Sequence, residues 1–191
     1  DFPSADRSTW QAVPVMNVGR HDTSDVENDR RFFHRPDFVQ VDFNSNVYNA
    51  VIIGSGNRAN PLSTNTRDFM YMYKDAASVP DLATWVPVTH DDFTGLNDCT
   101  TVDGCITPSI GTTGWKLELL FDGGVNNGLG GEKSLGTPIT VGGIVQFTTF
   151  MPPQSTPTQC IAQDAGGRIY ALNLLDGDPV VRKYESGNDD D

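Results

Sequence analysis

Short apolar runs alternate along this chain with polar connections that contain glycine and proline. The clearest run spans residues 50–53 (AVII) and ends at Gly54-Ser55-Gly56, and a second run follows at residues 69–73 (FMYMY) after a polar connection. A short β-branched run that stops at glycines is typical of a buried strand. Two such runs joined by a polar loop predict a hairpin-like unit, which is only marginally stable in water unless further strands join it.

The same pattern recurs roughly a hundred residues further along the chain, so that Tyr71 aligns with Tyr170 and Pro36 with Pro138. The strands predicted for the first unit are 38–43, 50–53, 69–73 and 115–120, and those predicted for the second are 138–141, 144–150, 169–174 and 180–184. Repeated four-stranded antiparallel units are characteristic of β-propeller blades. We therefore predict an all-β fold, a partial β-propeller of about two four-stranded antiparallel blades with one stray edge strand and a loop or short-helix insertion.

These units divide the chain into the parts of a single propeller fragment. Residues 1–28 are predicted to supply the outer strand of a preceding blade and a loop, residues 29–122 a blade, residues 123–185 the last blade and residues 186–191 an acidic tail. Residues 76–114 form an insertion in the first blade, in which a short helix is predicted to start near residue 78. Two blades cannot close a ring, and the chain does not begin with Met. We therefore expect a cleaved product or a fragment whose open sheet edges are covered by the rest of a longer protein, another chain or a second copy.

Charge and hydropathy exclude some classes of partner. The chain has a formal net charge of -12, whereas nucleic-acid-binding surfaces obtain their affinity from basic patches. A nucleic-acid partner is therefore not expected, and neither is an anionic membrane surface. The chain contains no apolar run of about 18 residues or more, so no membrane span is expected. Its first residues have neither the basic nor the apolar region of a signal peptide.

Three cysteines are present, at positions 99, 105 and 160. Cys99 and Cys105 flank a loop that contains the turn dipeptide Asp103-Gly104, and we expect a disulfide between them that would stabilise this part of the insertion. Two free thiols are the alternative, and a metal site is a further one, although the spacing to His90 does not match that of zinc ligands. Cys160 lies in a predicted loop and is either free or paired with a part of a longer protein.

A compact basic stretch and one His–Asp pair are the candidates for local chemistry. The basic stretch comprises Arg30, Arg31, His34 and Arg35. We expect its arginines to pair with nearby carboxylates or to cap carbonyls, with an anion or partner contact as the alternative. His90 precedes Asp91 and Asp92, but no Ser or Cys nucleophile is evidently partnered with it, so we expect a surface-loop histidine.

The sequence around Asp42, Asn44 and Asn46 superficially resembles the start of a calcium-binding loop. Such a loop needs glycine at its sixth position and glutamate at its twelfth, where this chain has Val47 and Ile53. We therefore expect these Asp and Asn residues to form a turn between two strands.

Pieces from several parts of the chain resemble, in order and approximate spacing, the C-terminal propeller of the type IV pilus tip-associated adhesins, the PilC/PilY family. They are 30–33 (RRFF) with 36–37, 50–58 (AVIIGSGNR) with 61–62, 69–71, 114–119 (GWKLEL), 131–133 (GEK), 137–140 (TPIT), 145–150 (VQFTTF) and 168–173 (RIYALN). The resemblance covers residues 29–177. It implies the C-terminal end of a larger adhesin, exported through the periplasm and presented at the pilus tip or cell surface.

The resemblance implies a structural and adhesive role in pilus assembly, surface attachment and twitching motility, with no catalytic residues. The implied partners are the remainder of the parent adhesin, minor pilins, and a host or abiotic surface. Family members often carry a calcium loop, which is not found in this chain, so no cofactor is expected here and calcium is left to the parent protein. We expect local binding, if any, in the insertion 76–114 and the loop 151–167.

Two alternatives rest on the same blade repeats. One is a propeller scaffold for outer-membrane protein assembly. The other is a fragment of a pyrroloquinoline-quinone-type dehydrogenase, because residues 168–177 (RIYALNLLDG) also resemble the repeats of those propellers. Those enzymes bind the quinone and calcium on the propeller axis with a carboxylate base, and no carboxylate of this sequence is visibly placed for that role.

Overall fold

Two β-sheets packed face to face dominate the structure, a computed structural model that describes residues 6, 12–19, 25–43, 46–76, 84–96, 111–119, 131–153 and 165–180. Its strands are β1 (Met16–Asn17), β2 (Asp37–Phe43), β3 (Asn46–Gly54), β4 (Phe69–Ala76), β5 (Val88–Thr89), β6 (Thr94–Gly95), β7 (Gly114–Glu118), β8 (Lys133–Ser134), β9 (Ile139–Val141), β10 (Ile144–Met151) and β11 (Gly166–Asn173). The helical elements of the described ranges are two single 3₁₀ turns, Val26–Asn28 and His90–Asp92. No helix in those ranges has the length and apolar character needed to cross a membrane. The predicted all-β fold class is confirmed.

The first sheet contains the four strands predicted for the first blade, in the order β2-β3-β4-β7, each antiparallel to its neighbour. The short strand β6, from the insertion, adds to β7 in parallel. On β4, Met70 and Met72 are buried on one face, and the alternate tyrosines are buried on the other. Because both faces of this sheet are covered, β4 has the continuous apolar pattern of a central strand.

The second sheet is built on β10, which pairs with β11 along its whole length. The other edge of β10 pairs first with β9 and then with β8. Three of the four strands predicted for the second blade are thus present. The predicted strand 180–184 is preceded by a bridge between Leu172 and Pro179, and its residues beyond 180 lie outside the described ranges. Gly142 and Gly143, with φ of 59° and 80°, form the turn between β9 and β10, because a tight two-residue hairpin turn needs positive φ.

The facing sides of the two sheets form the main hydrophobic core. Its buried members include Ile52, Met72 and Trp115 from the first sheet and Val145, Phe147 and Leu172 from the second. The indole Nε1 of Trp115, a fully buried side chain, donates a hydrogen bond of 3.0 Å to the carbonyl of Leu174. Each large apolar side chain buried in this way stabilises the fold by roughly 1.5–3 kcal/mol. The packing of the two repeats on each other is therefore a principal source of stability.

The opposite face of the first sheet is covered by loops and short strands. Phe69, Tyr71 and Tyr73 pack there against Val18 and Phe93. Beside this cluster, β1 pairs in parallel with β5 and joins the N-terminal segment to the insertion. The sequence predicted an outer strand of a preceding blade in residues 1–28. The described part of that segment pairs with the insertion instead, and a preceding blade stays a prediction. The helix predicted near residue 78 lies outside the described residues.

Candidate functional site

Charged side chains are buried where the chain enters the second sheet. Glu132 and Lys133 are fully buried, and Ser134 is 1% exposed. Asp68, which precedes β4, is also 1% exposed. Burying a charge is costly unless it is paired and hydrogen-bonded, so the partners of these groups decide what the cluster does. We call the segment 131–134 and the groups that contact it the polar junction.

The glycines that end β3 make room for the polar junction. A Cβ atom at Gly56 would lie 2.6 Å from the carbonyl oxygen of Ser134, and one at Gly54 would collide with the Ser134 side chain. Between these glycines, the carbonyl of Ser55 accepts a 3.0 Å hydrogen bond from the backbone N–H of Ser134. The GSG sequence that marked the end of a strand is therefore also the place where the second repeat docks on the first.

Glu132 is the acceptor at the centre of one half of the junction. Its Oε1 accepts hydrogen bonds from the hydroxyls of Thr149, at 2.5 Å, and Tyr170, at 2.9 Å, and its Oε2 forms a 2.9 Å ion pair with Arg168. The Tyr170 ring stacks on Phe147, with centroids 4.7 Å apart and planes 6° apart. Burial raises the pKa of Tyr170 to about 12, and the negative charge of Glu132 acts in the same direction. The carboxylate thus ties the segment to both β10 and β11.

Lys133 and Asp68 form the other half. Lys133 Nζ donates to the carbonyls of Gly131, at 2.7 Å, and Ser63. Burial lowers the pKa of Lys133, an effect that the charge of Asp68 opposes. Asp68 Oδ1 accepts a 2.7 Å hydrogen bond from the hydroxyl of Ser55. Burial raises the pKa of Asp68 to about 6, against the opposing effects of that hydrogen bond and of Lys133.

The geometry of the junction is suited to fixing the two sheets relative to each other. Its acceptors and donors are directed at backbone and side chains of both sheets, and buried ionic groups of this kind serve best to specify one arrangement. Residues 131–133 are one of the pieces that resemble the pilus adhesins in sequence, but the burial of their charges was not predicted. One signal was available in the sequence: Arg168 alternates with Tyr170 and Leu172, which places a positive charge on the same strand face as Leu172.

The basic stretch behaves as the sequence predicted for its first two members. Arg30 is buried, and its Nε donates a 3.0 Å hydrogen bond to the carbonyl of Val18. Arg31 forms an exposed ion pair of 2.7 Å with Asp29. These arginines cap a carbonyl and pair with a carboxylate, which confirms the expectation for both.

His90 is half-buried, which differs from the surface-loop histidine predicted from the sequence. Its Nδ1 lies 2.9 Å from the hydroxyl of Tyr71, and its ring contacts Phe69 edge-on at 4.7 Å between centroids. Burial lowers the pKa of His90 to about 4, and the positive charges of Arg30 and Lys116 add to the effect. The reason for the difference is that the 3₁₀ turn carrying His90 folds onto aromatic residues of β4, a contact with no local signal in the sequence.

Of the two carboxylates beside His90, Asp92 stabilises the start of the 3₁₀ turn and Asp91 is exposed. Asp92 accepts hydrogen bonds from the backbone N–H and the hydroxyl of Thr89, at 2.7 and 2.8 Å, and so caps the 3₁₀ turn. These bonds lower the pKa of Asp92. Of the calcium-like residues, Asp42 and Asn46 lie on the paired ends of β2 and β3, where Phe43 pairs with Asn46, and Asn44 lies outside the described residues. Within the described ranges, no group of three or more His, Cys, Asp or Glu side chains is placed to hold a metal ion.

Several predicted site residues lie outside the described residues. They are Cys99, Cys105 and Cys160, together with much of the insertion 76–114 and of the loop 151–167. The disulfide between Cys99 and Cys105 therefore stays a prediction, as does local binding by these two segments.

Comparison with solved structures shows that the fold is similar to that of a known domain. No family model matches the sequence, and the comparison with curated proteins gives no match. The structure is similar to the crystal structure of the Pseudomonas aeruginosa PilY1 C-terminal domain, with a TM-score of 0.55 and 19% sequence identity. The similarity covers 86% of this chain and 34% of that chain. The chain thus has a PilY1-like fold and spans about a third of the length of the structure it matches.

Proposed function

We propose that this chain is a structural and adhesive module of a type IV pilus tip-associated protein, which supports pilus assembly, surface attachment and twitching motility without catalysing a reaction. The observation that carries the proposal is the likeness in fold to the PilY1 C-terminal domain over 86% of the chain. The ordered sequence pieces between residues 30 and 173 support it separately. The proposed location is extracellular, at the pilus tip or cell surface, after export through the periplasm.

The outer face of the second sheet offers a surface for the rest of a longer protein. Ile139, Val141 and Ile169 are exposed there by 61%, 63% and 82%. They lie on one face because they pair with alternate residues of β10. Exposed apolar side chains grouped on one face are typical of an interaction surface. We infer that the remainder of the parent protein covers this face, and that minor pilins and a host or abiotic surface are contacted elsewhere.

The buried charged side chains of Glu132 and Lys133 are bonded to other groups of the protein, which supports a structural role. Glu132 anchors the segment 131–134 to β10 and β11, while Lys133 and Ser134 bond to the carbonyls of Ser63 and Ser55 in the first repeat, so the junction joins the two repeats. A rigid body that presents exposed loops and an apolar sheet face is suited to docking.

The test is made in the native host, by replacing the gene of the parent protein with one that lacks residues 29–177 of this chain. We expect fewer surface pili in electron micrographs, weaker surface attachment and smaller twitching zones, all restored by the intact gene. The variant Arg58→Gln, at an exposed loop position, should leave the three measures unchanged.

Normal piliation, attachment and motility in the deletion strain would contradict the proposal. Affinity purification of the parent protein separates the two binding roles. Minor pilins are expected among the recovered proteins, whereas recovery of β-barrel assembly proteins in their place would favour the outer-membrane scaffold.

A further inference from the structure

A cavity of about 540 Å³ opens on the face of the first sheet that is turned away from the second sheet. It lies where β1, the 3₁₀ turn His90–Asp92 and the residues before β2 meet. Its polar lining comprises Asn17, Asn28, Arg30, Thr89, His90 and Asp91. Small-molecule sites are commonly clefts of about 300–1,000 Å³ with a few placed polar groups. The cavity has the size and the lining of such a site.

Arg30 supplies a buried positive charge to this cavity. Its residue is 6% exposed, and its guanidinium donates to two neutral acceptors, the carbonyl of Val18 at 3.0 Å and Asn28 Oδ1 at 2.9 Å. A guanidinium has five N–H donors, so these bonds leave donors available. Unlike Arg31, Arg30 has no carboxylate within ion-pair distance among the described residues.

This arrangement favours an anion in the cavity. A buried charge is costly unless it is paired and hydrogen-bonded. The charges of Asp68 and Glu118 act on Arg30 without direct contact, and the Phe69 ring, 5.2 Å from the guanidinium carbon, offsets only part of the cost. A bound carboxylate would accept charge-assisted hydrogen bonds from the free edge of the guanidinium. It would therefore supply the partner that the fold itself does not bring within ion-pair distance.

The neighbouring groups add hydrogen-bonding capacity with little further positive charge. His90 stays neutral at physiological pH, because burial and the charge of Arg30 lower its pKa to about 4. Asn17 and Thr89 are exposed at the cavity. Asn17 offers a side-chain amide, and the Thr89 hydroxyl, which donates its proton to Asp92, offers an acceptor for a sugar hydroxyl. Asp91, also exposed, places one negative charge at the wall. A ligand with one carboxylate and several hydroxyls fits this set better than a multiply charged anion.

We propose that this cavity binds an acidic monosaccharide of the uronic acid class, with Arg30 holding the carboxylate and Asn17 and Thr89 binding hydroxyls. The proposal does not depend on a pilus role, because it concerns binding by the chain itself. The lining residues lie on elements that cover the first sheet.

The test titrates the 191-residue chain with glucuronate, glucose and acetate and follows binding by NMR. Glucuronate should bind about tenfold more tightly than glucose, which lacks the charge, and than acetate, which lacks the hydroxyls. Arg30→Gln should weaken glucuronate binding about tenfold, and the matched change Arg58→Gln, outside the cavity, should not alter it.

Two further variants keep the test decisive if Arg30→Gln does not fold, since both alter exposed side chains. Asp91→Asn should tighten glucuronate binding about twofold at low salt, because it removes a like charge from the wall. Asn17→Ala should weaken binding of glucuronate but not of acetate. The proposal would be overturned if no binding is seen at about 10 mM glucuronate, a concentration that detects dissociation constants in the millimolar range. Equal affinities for glucose and glucuronate would also overturn it.

Discussion

Replacing Glu132 by Gln tests whether the buried carboxylate anchors the segment 131–134 to β10 and β11 of the second sheet. Its two oxygens accept from Thr149, Tyr170 and Arg168. Glutamine keeps the shape of the side chain but removes the charge, and it turns one acceptor into an NH₂ group that faces donors. The variant therefore alters the junction without opening a cavity in the apolar core.

The size of the effect follows from these contacts. Hydrogen bonds to a charged group contribute about 1.5–3 kcal/mol each, and a buried donor left unsatisfied costs about 1–3 kcal/mol. The Arg168 contact counts for less, because that side chain is 38% exposed and solvent screens it. We expect Glu132→Gln to lower the free energy of unfolding by about 2–4 kcal/mol, and Arg168→Met to lower it by about 1 kcal/mol.

Urea unfolding of the purified chain, followed by circular dichroism, measures both changes. The matched control is Glu27→Gln, which makes the same chemical change in the exposed ion pair between Glu27 and Arg67. That control should shift the free energy of unfolding by less than about 0.5 kcal/mol. If Glu132→Gln destabilises the chain no more than Glu27→Gln does, the buried carboxylate does not secure the junction and the reasoning is wrong.

Three other outcomes are expected. Gly56→Ala should destabilise the chain by about 1–3 kcal/mol in the same urea assay, because the new Cβ meets the carbonyl oxygen of Ser134. Gly136→Ala should be tolerated, because its new Cβ would lie 3.6 Å from the Thr148 hydroxyl oxygen, an ordinary contact distance. The pKa of Asp68 in the folded state is raised to about 6, above its unfolded value. Its contribution to stability is therefore present below the unfolded pKa and is lost as the pH rises through about 6. Asp68→Asn should gain stability relative to the wild type as the pH rises from about 4 to about 7, and a difference that stays constant with pH would contradict this. Mass spectrometry after alkylation without reduction should find Cys99 and Cys105 joined, and labelling of both would show free thiols.

The strands of the two repeats were predictable because their signals are local. β-branched and aromatic runs bounded by glycines located β3, β4, β10 and β11 to within a few residues. The observed strands extend beyond the predictions because backbone pairing continues into polar residues such as Lys74 and Asp75 of β4. The hydrogen-bonded pairing of β3 with β4 therefore extends the strand beyond its apolar residues.

The elements that the sequence did not predict depend on distant partners. β8 consists of Lys133 and Ser134, which have no strand-like pattern, and it forms because β10 and the end of β3 present hydrogen-bonding groups to it. The pairing of β1 with β5 joins two-residue segments far apart in sequence. The burial of His90 likewise depends on Tyr71, a contact that no periodicity marks.

β8 has a consequence for how the molecule comes apart. On one side it accepts and donates main-chain hydrogen bonds with β10, and on the other the N–H of Ser134 bonds to Ser55. Neither repeat can open while the other stays intact without breaking backbone bonds at this shared strand. The two repeats should therefore melt as one cooperative unit, with a single calorimetric transition in which the calorimetric and van't Hoff enthalpies agree.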